Sequence, residues 1–225
     1  MPRSTAGNTR LQAVLFDMDG TLVDTEGLWW QAVREVAARL GHRLREADIP
    51  DVLGRPVEHT AAHLHRVTGG NQSCETIRQS LDVRFATLVS TQIHPMPGAL
   101  ALLDALAADH VPLGLVSASP RTLVDIVLGV LGANRFAVSM AAGETSQTKP
   151  APDRYLAAAR NLGAAPATCV AVEDTPVGVA SAEAAGCFVL AVPSLTPIHP
   201  APGRAVVDSL TEADPRLLRA LVDGD

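Results

Sequence analysis

The feature that most constrains the fold is a regular alternation of short β-rich runs with helical stretches after residue 96. "PGALALLDALAADH" reads as a helix opened by Pro97 and Gly98, "VPLGLVSAS" as a strand and "PRTLVDIVLGVLG" as a helix with proline at its start. The rhythm continues through "FAVSMAAGE" as strand and loop, "PDRYLAAARNLG" as helix and "TCVAVED" as strand. "PVGVASAEAAG" is a helix, "CFVLAVP" a strand and "PRLLRALVDG" a last helix. Near the start, "LQAVLF" adds one more strand. Strands joined by helical crossovers imply a Rossmann-like, doubly wound parallel sheet of the α/β class, with helices on both faces.

One segment breaks the rhythm. From about Glu26 to Ile93 the pattern is helix after helix, so an inserted α-helical cap domain is expected over residues 25–93. The core then comprises residues 11–24 and 94–225, and residues 1–10 form a loose tail. In "LWWQAVREVAARLG", Trp29, Val33, Val36, Ala37 and Leu40 share a face, which assigns Trp29 to the cap's interior. Trp30 lies off that stripe and is a candidate to face the substrate or the core.

Composition narrows the function. The formal charge is −6 and the arginines are scattered, so no electrostatic footprint for nucleic acid exists. No apolar run reaches the roughly 20 residues that cross a bilayer, and no secretory leader is evident. Cys74, Cys169 and Cys187 suit neither a disulfide framework nor a zinc pair, which places the chain in a reducing cytoplasm. A monomer acting on a small polar molecule is the expectation.

In open α/β sheets, ligands bind beyond the carboxyl ends of the strands. Four polar clusters stand at such ends: Asp17 and Asp19, Ser117 and Ser119, Lys149, and Glu173 with Asp174. Asp17 and Asp19, one residue apart in extended chain, lean to the same side, and Gly20 lets the chain turn away. Together with Asp174 they would repel one another unless a divalent cation kept them ionised, and oxygen-only ligands favour Mg2+. A phosphate would find its remaining partners in a strand-end serine and in Lys149, the single lysine among eighteen basic residues.

These residues carry a resemblance. "DMDGTLVDT", "LVSAS", "TKPAPDRYL" and "VEDTPVGVASAEAAG" are similar, in order and spacing, to the four motifs of the haloacid dehalogenase superfamily, in the group with an α-helical cap after the first motif. The resemblance covers nearly everything from Leu11 onward. It implies that Asp17 attacks phosphorus and forms an aspartyl phosphate, while Asp19 protonates the leaving alcohol and later deprotonates water. It implies magnesium on the Asp17 carboxylate, the Asp19 backbone carbonyl and Asp174, with Glu173 bonding metal-bound water or the ligands themselves. Ser117 and Lys149 would hold the phosphoryl oxygens, Ser117 being preferred to Ser119.

"DTEGLWW", "PDVLGRP" and "SASPRTLVDIVL" further resemble bacterial hexose phosphatases, which implies a sugar phosphate as the small phosphate-ester substrate. Four rivals compete with a phosphatase. A sugar phosphomutase of the β-phosphoglucomutase type carries a histidine in the first cap helix and a cap lysine, where this chain has Trp29 and no cap lysine. A phosphonate hydrolase also needs a cap lysine, and a dehalogenase lacks the second aspartate that this chain keeps as Asp19. A catalytically silent binding module would have lost one of Asp17, Asp19, Lys149 and Asp174. In the cap, Arg55 is a candidate for a second polar part of the substrate, whereas His59, His63 and His65 read as an ordinary helix face.

Overall fold

The computed structural model describes residues 11–224, and the expected tail, residues 1–10, lies outside them. Contacts divide the described chain into two compact units, one running to Val23 and resuming at Pro95, the other Asp24–His94. The second unit is one residue wider at each end than the expected 25–93.

The first unit is built on β1 (Ala13–Phe16), β2 (Leu113–Val116), β3 (Val138–Met140), β4 (Cys169–Glu173), β5 (Phe188–Ala191) and β6 (Arg204–Val206). All neighbours pair in parallel, in the order β3-β2-β1-β4-β5-β6. The order reverses between β1 and β4, which makes their carboxyl ends the natural place for a ligand. β1, β2 and β4 are buried along their whole length, which is why they read as continuous apolar runs without alternation. Ala13 and Leu15 join Ala171, Tyr155, Ala158, Val179 and Ala182 in one layer. The pleat turns Val14 and Phe16 the other way.

The crossover and terminal helices of this unit are Ala99–Ala108, Arg121–Leu131, Asp153–Asn161, Pro176–Ala184 and Pro215–Asp223. Each expected helix and strand of the alternation is present. β6 was not expected: its three half-buried residues, in "GRAVVD", are too few to show a period, and pairing with β5 at the sheet edge is what orders them.

The second unit holds α1 (Glu26–Arg39), α2 (Val57–Val67) and α3 (Cys74–Gln92), with a 3₁₀ turn at Glu46–Asp51. Val33, Val36, Ala37, Leu64, Ile77 and Leu81 form its core. Trp29 packs edge-on against Phe85, with ring centroids 5.3 Å apart, and donates from Nε1 to the Val52 carbonyl at 3.0 Å. It belongs to the interior, as its place on the stripe requires. Trp30 is partly buried against the same cluster.

Candidate active site

β1 delivers Asp17 one residue beyond its last paired position, where the Asp17 amide donates to the Val172 carbonyl of β4 at 2.9 Å. That bond fixes the backbone of the first aspartate against the strand carrying Glu173 and Asp174. Carboxylate oxygens of Asp17, Glu173 and Asp174 lie within 4.8 Å of one another, the one such group of metal-ligating side chains among the described residues. All three residues are buried.

Lys149 reaches this cluster from the loop after β3. Its ammonium donates to Asp17 Oδ1 at 2.6 Å, to Glu173 Oε1 at 2.6 Å and to the Val116 carbonyl at 3.1 Å. An ammonium has three protons, and each has an acceptor. Burial alone would lower the Lys149 pKa, but the Asp17 and Glu173 carboxylates outweigh it and hold the ammonium above its ordinary value. The lone lysine is therefore a fully desolvated cation among acids.

Glu173 is the deepest of these groups. Tyr155 donates to its Oε1 at 2.5 Å, while Oε2 is buried with no hydrogen-bond partner. A Cβ on Gly178 would stand 1.9 Å from Oε2, so the third residue of the helix at Pro176–Ala184 must be glycine for Glu173 to keep its place. Burial pushes the Glu173 carboxyl up. Burial, followed by the nearby Asp17 charge, raises Asp174 to about 7.

Asp174 is held by Ser194, which donates to Oδ2 at 2.6 Å, and more loosely by Thr21 at 3.4 Å. Gly20, at φ +82, lets the chain turn beside it, and a Cβ there would meet Asp174 Oδ2 at 2.3 Å. A raised carboxyl next to two others, and an orphaned oxygen on Glu173, describe an oxygen-lined site with excess negative charge. A divalent cation fits that donor set and would return the carboxyls to their ionised form.

The Asp19 carboxylate is met by two serines from beyond the end of β2. Its Oδ2 accepts from Ser117 Oγ at 3.2 Å and from Ser119 Oγ at 2.8 Å, and the Ser119 amide donates to Ser117 Oγ at 2.9 Å. The expectation had given Ser117 to phosphate and set Ser119 behind it. Here Ser117 spends its proton on Asp19, and Ser119 makes the shorter bond to the same oxygen.

The structure thus gathers Asp17, Asp19, Ser117, Lys149, Glu173 and Asp174 at the ends of β1, β2 and β4. Tyr155, Ser194, Thr21 and Gly178 went unnoticed as partners, although Tyr155, Thr21 and Gly178 lie within the quoted motifs. The cap candidates belong to the second unit. Arg55 is exposed and donates from Nε to the Pro50 carbonyl at 3.0 Å. His59 and His63 are not an ordinary helix face. His63 is buried, with Nε2 2.8 Å from Asp48 Oδ1 and Nδ1 3.3 Å from Asp51 Oδ2, and His59 Nε2 lies 2.8 Å from Asp51 Oδ1.

Comparison with known proteins agrees with the geometry. The family described as haloacid dehalogenase-like hydrolase matches residues 14–192. Protein CbbY of Rhodobacter capsulatus is 32% identical over 195 residues, covering 82% of this chain and 86% of its own length. Hexitol phosphatase B of Escherichia coli (strain K12) is 31% identical over 188 residues, 82% of this chain and 85% of its own. In fold, the crystal structure of a HAD hydrolase, family IA, variant 3, from Entamoeba histolytica superposes with a TM-score of 0.80 at 24% identity, over 94% of this chain and 99% of that one. The chain belongs to the haloacid dehalogenase-like hydrolase family and stands among its phosphoric monoester hydrolases.

Proposed function

We propose that this enzyme is a magnesium-dependent phosphatase of small sugar phosphates that works through an aspartyl phosphate on Asp17. The observation that carries the reading is the position of the Asp17 carboxylate, with one oxygen on Lys149 and the group as a whole beside Glu173 and Asp174. Bound magnesium, held by the Asp17 and Asp174 carboxylates and the Asp19 carbonyl, with Glu173 behind them, would supply positive charge to the phosphoryl oxygens.

The chain's own residues supply the rest. Asp17 attacks phosphorus in line, its oxygen forming a bond as the bond to the alcohol oxygen breaks. Asp19, whose Oδ2 the Ser117 and Ser119 hydroxyls hold, gives its proton to the departing oxygen. It then takes a proton from the water that attacks the aspartyl phosphate, releasing phosphate and restoring Asp17. Lys149 orients Asp17 and offsets charge that shifts onto the phosphoryl oxygens, where Ser117 becomes a further donor once its hydroxyl turns from Asp19 to the substrate. Arg55 in the second unit is assigned to a polar part of the sugar.

The relative named hexitol phosphatase supports the substrate class. The mutase reading finds no support in the first cap helix, where Trp29 is fixed in the interior by Val52 and Phe85. Phosphate release from a panel of sugar phosphates, nucleotides and an aryl phosphate, with magnesium and with chelator, tests the proposal. Magnesium-dependent release highest on a sugar phosphate is expected. Interconversion of sugar phosphate isomers without release, or turnover unaffected by chelator, would contradict it.

A further inference from the structure

The second unit carries a trough of about 670 Å³, against about 270 Å³ for the cavity lined by Gly20, Thr21 and Ser194 beside Asp174. That is within the size range of sites for small molecules. Trp30, Arg34, His42, Arg43, Arg45 and Glu46 line it, all from α1 and the segment leading into the 3₁₀ turn.

Its charge runs against the rest of the molecule. The chain is −6 overall, yet three guanidinium groups and a single carboxylate line this trough. Other arginines of the unit have partners: Arg84 holds Glu35, and Arg78 holds Glu75 and Asp82. The side chains of Arg34, Arg43 and Arg45 form no ion pair among the described residues. Three guanidinium groups against one carboxylate leave the lining net positive, which favours an anion there.

The second observation is aromatic. Trp30 is partly buried, yet its indole N–H has no acceptor among the described residues, in contrast to Trp29, whose N–H is spent on Val52. An amphipathic ring with an unspent donor beside cations suits a flat, polar-edged ring system. At the other end, His42 Nε2 is buried without a hydrogen bond, 3.5 Å from Asp48 Oδ2, whose other oxygen holds His63.

We propose that this trough binds a nucleoside di- or triphosphate, the phosphates on Arg34, Arg43 and Arg45 and the base against Trp30. The site is separate from the acidic cluster and does not depend on the phosphatase reading. Trp30, expected from the sequence to face the substrate or the core, serves this second ligand instead. A ligand here also lies one side chain from the Asp48–His63 contact that ties the 3₁₀ turn to α2, so its binding stabilises the second unit.

The test is calorimetric titration of the full-length Asp17→Asn protein, which cannot turn ligand over, with ADP, adenosine and inorganic tripolyphosphate. ADP is expected to bind one per chain and more tightly than either half alone. Arg34→Ala with Arg43→Ala is expected to weaken it on the order of tenfold, through loss of charge-assisted phosphate contacts. The same double substitution in the otherwise unaltered enzyme leaves turnover of a small aryl phosphate unchanged. Absence of ADP binding at millimolar concentration, or an affinity unchanged by the double substitution, would overturn the site. Tripolyphosphate binding as tightly as ADP would overturn the assignment to a nucleoside phosphate.

Discussion

The two units treat charge in opposite ways. In the first, Lys149 is buried between Asp17, 132 residues away, and Glu173, 24 residues away, and no water-exposed partner shares the load. In the second, the ion pairs of Arg78 on α3 are local and exposed, meeting Glu75 at i−3 and Asp82 at i+4, while Arg84 of the same helix reaches Glu35 of α1 in a partly buried pair. Exposed pairs of that kind contribute roughly 0–1 kcal/mol. A buried ion cluster costs desolvation that its mutual attraction scarcely repays, so apolar residues of the same volume would serve stability as well. The lesson is that the first unit sets one buried group of charges aside for chemistry, beside exposed pairs such as Arg219–Asp109, whereas the pairs of Arg78 in the second serve solubility and modest gains in helix stability.

Four measurements sharpen or break that contrast. The largest effect belongs to Lys149→Ala, which leaves Asp17 and Glu173 buried without a cation. Denaturant unfolding is expected to show a loss of about 3–5 kcal/mol, the range for a broken buried pair. A loss within the range of surface pairs would show that the cluster is better solvated than its burial indicates.

Leu81→Ala comes next. Leu81 is fully buried in the cluster of the second unit, and truncation is expected to cost about 2–5 kcal/mol. Hydrogen exchange should localise the loss to α1, α2 and α3, with the strands still protected. Uniform loss across both units would deny that they are separate cooperative bodies.

Gly178→Ala tests a single contact. The added Cβ would overlap the Glu173 carboxylate, so the variant is expected to lose about 1–3 kcal/mol, with turnover falling through displacement of Glu173. Unchanged turnover would separate Glu173 from the chemistry.

The smallest effect is pH-dependent and lies in the second unit. Hydrogen bonds from Arg84, then from Gln31, hold the Glu35 carboxyl at about 2, against an ordinary value of 4.5. A depressed folded-state value contributes stability above the unfolded-state value, which is lost as pH falls from 4.5 towards 2. The destabilisation of Arg84→Ala at pH 6 should therefore be small and should shrink towards pH 2. A difference constant across that range would remove Glu35 as its source.

Much of this molecule was legible in the sequence because its logic is periodic or positional. Buried parallel strands such as "AVLF" and "LGLV" announce themselves as apolar runs, and the crossover helices show their own period. Asp17, Lys149 and Glu173 stood out because strand ends in this class of fold converge on one edge. What stayed hidden depends on side-chain direction. Nothing in the spacing says that Tyr155 bends its hydroxyl to Glu173, that Ser119 rather than Ser117 makes the shorter bond to Asp19, or that Ser194 caps Asp174. His63 and Asp48, fifteen residues apart, meet only because the 3₁₀ turn folds back onto α2. β6 had too few residues to register at all.

Everything proposed for the site turns on covalent phosphorylation of Asp17. The most direct measurement is peptide mass spectrometry of enzyme acid-quenched during turnover of a sugar phosphate, compared with enzyme quenched without substrate. A phosphoryl group is expected on the peptide containing Asp17, and none on the corresponding peptide of Asp17→Asn. Steady phosphate release with no phosphorylated peptide, or a phosphoryl group on another residue, would contradict it.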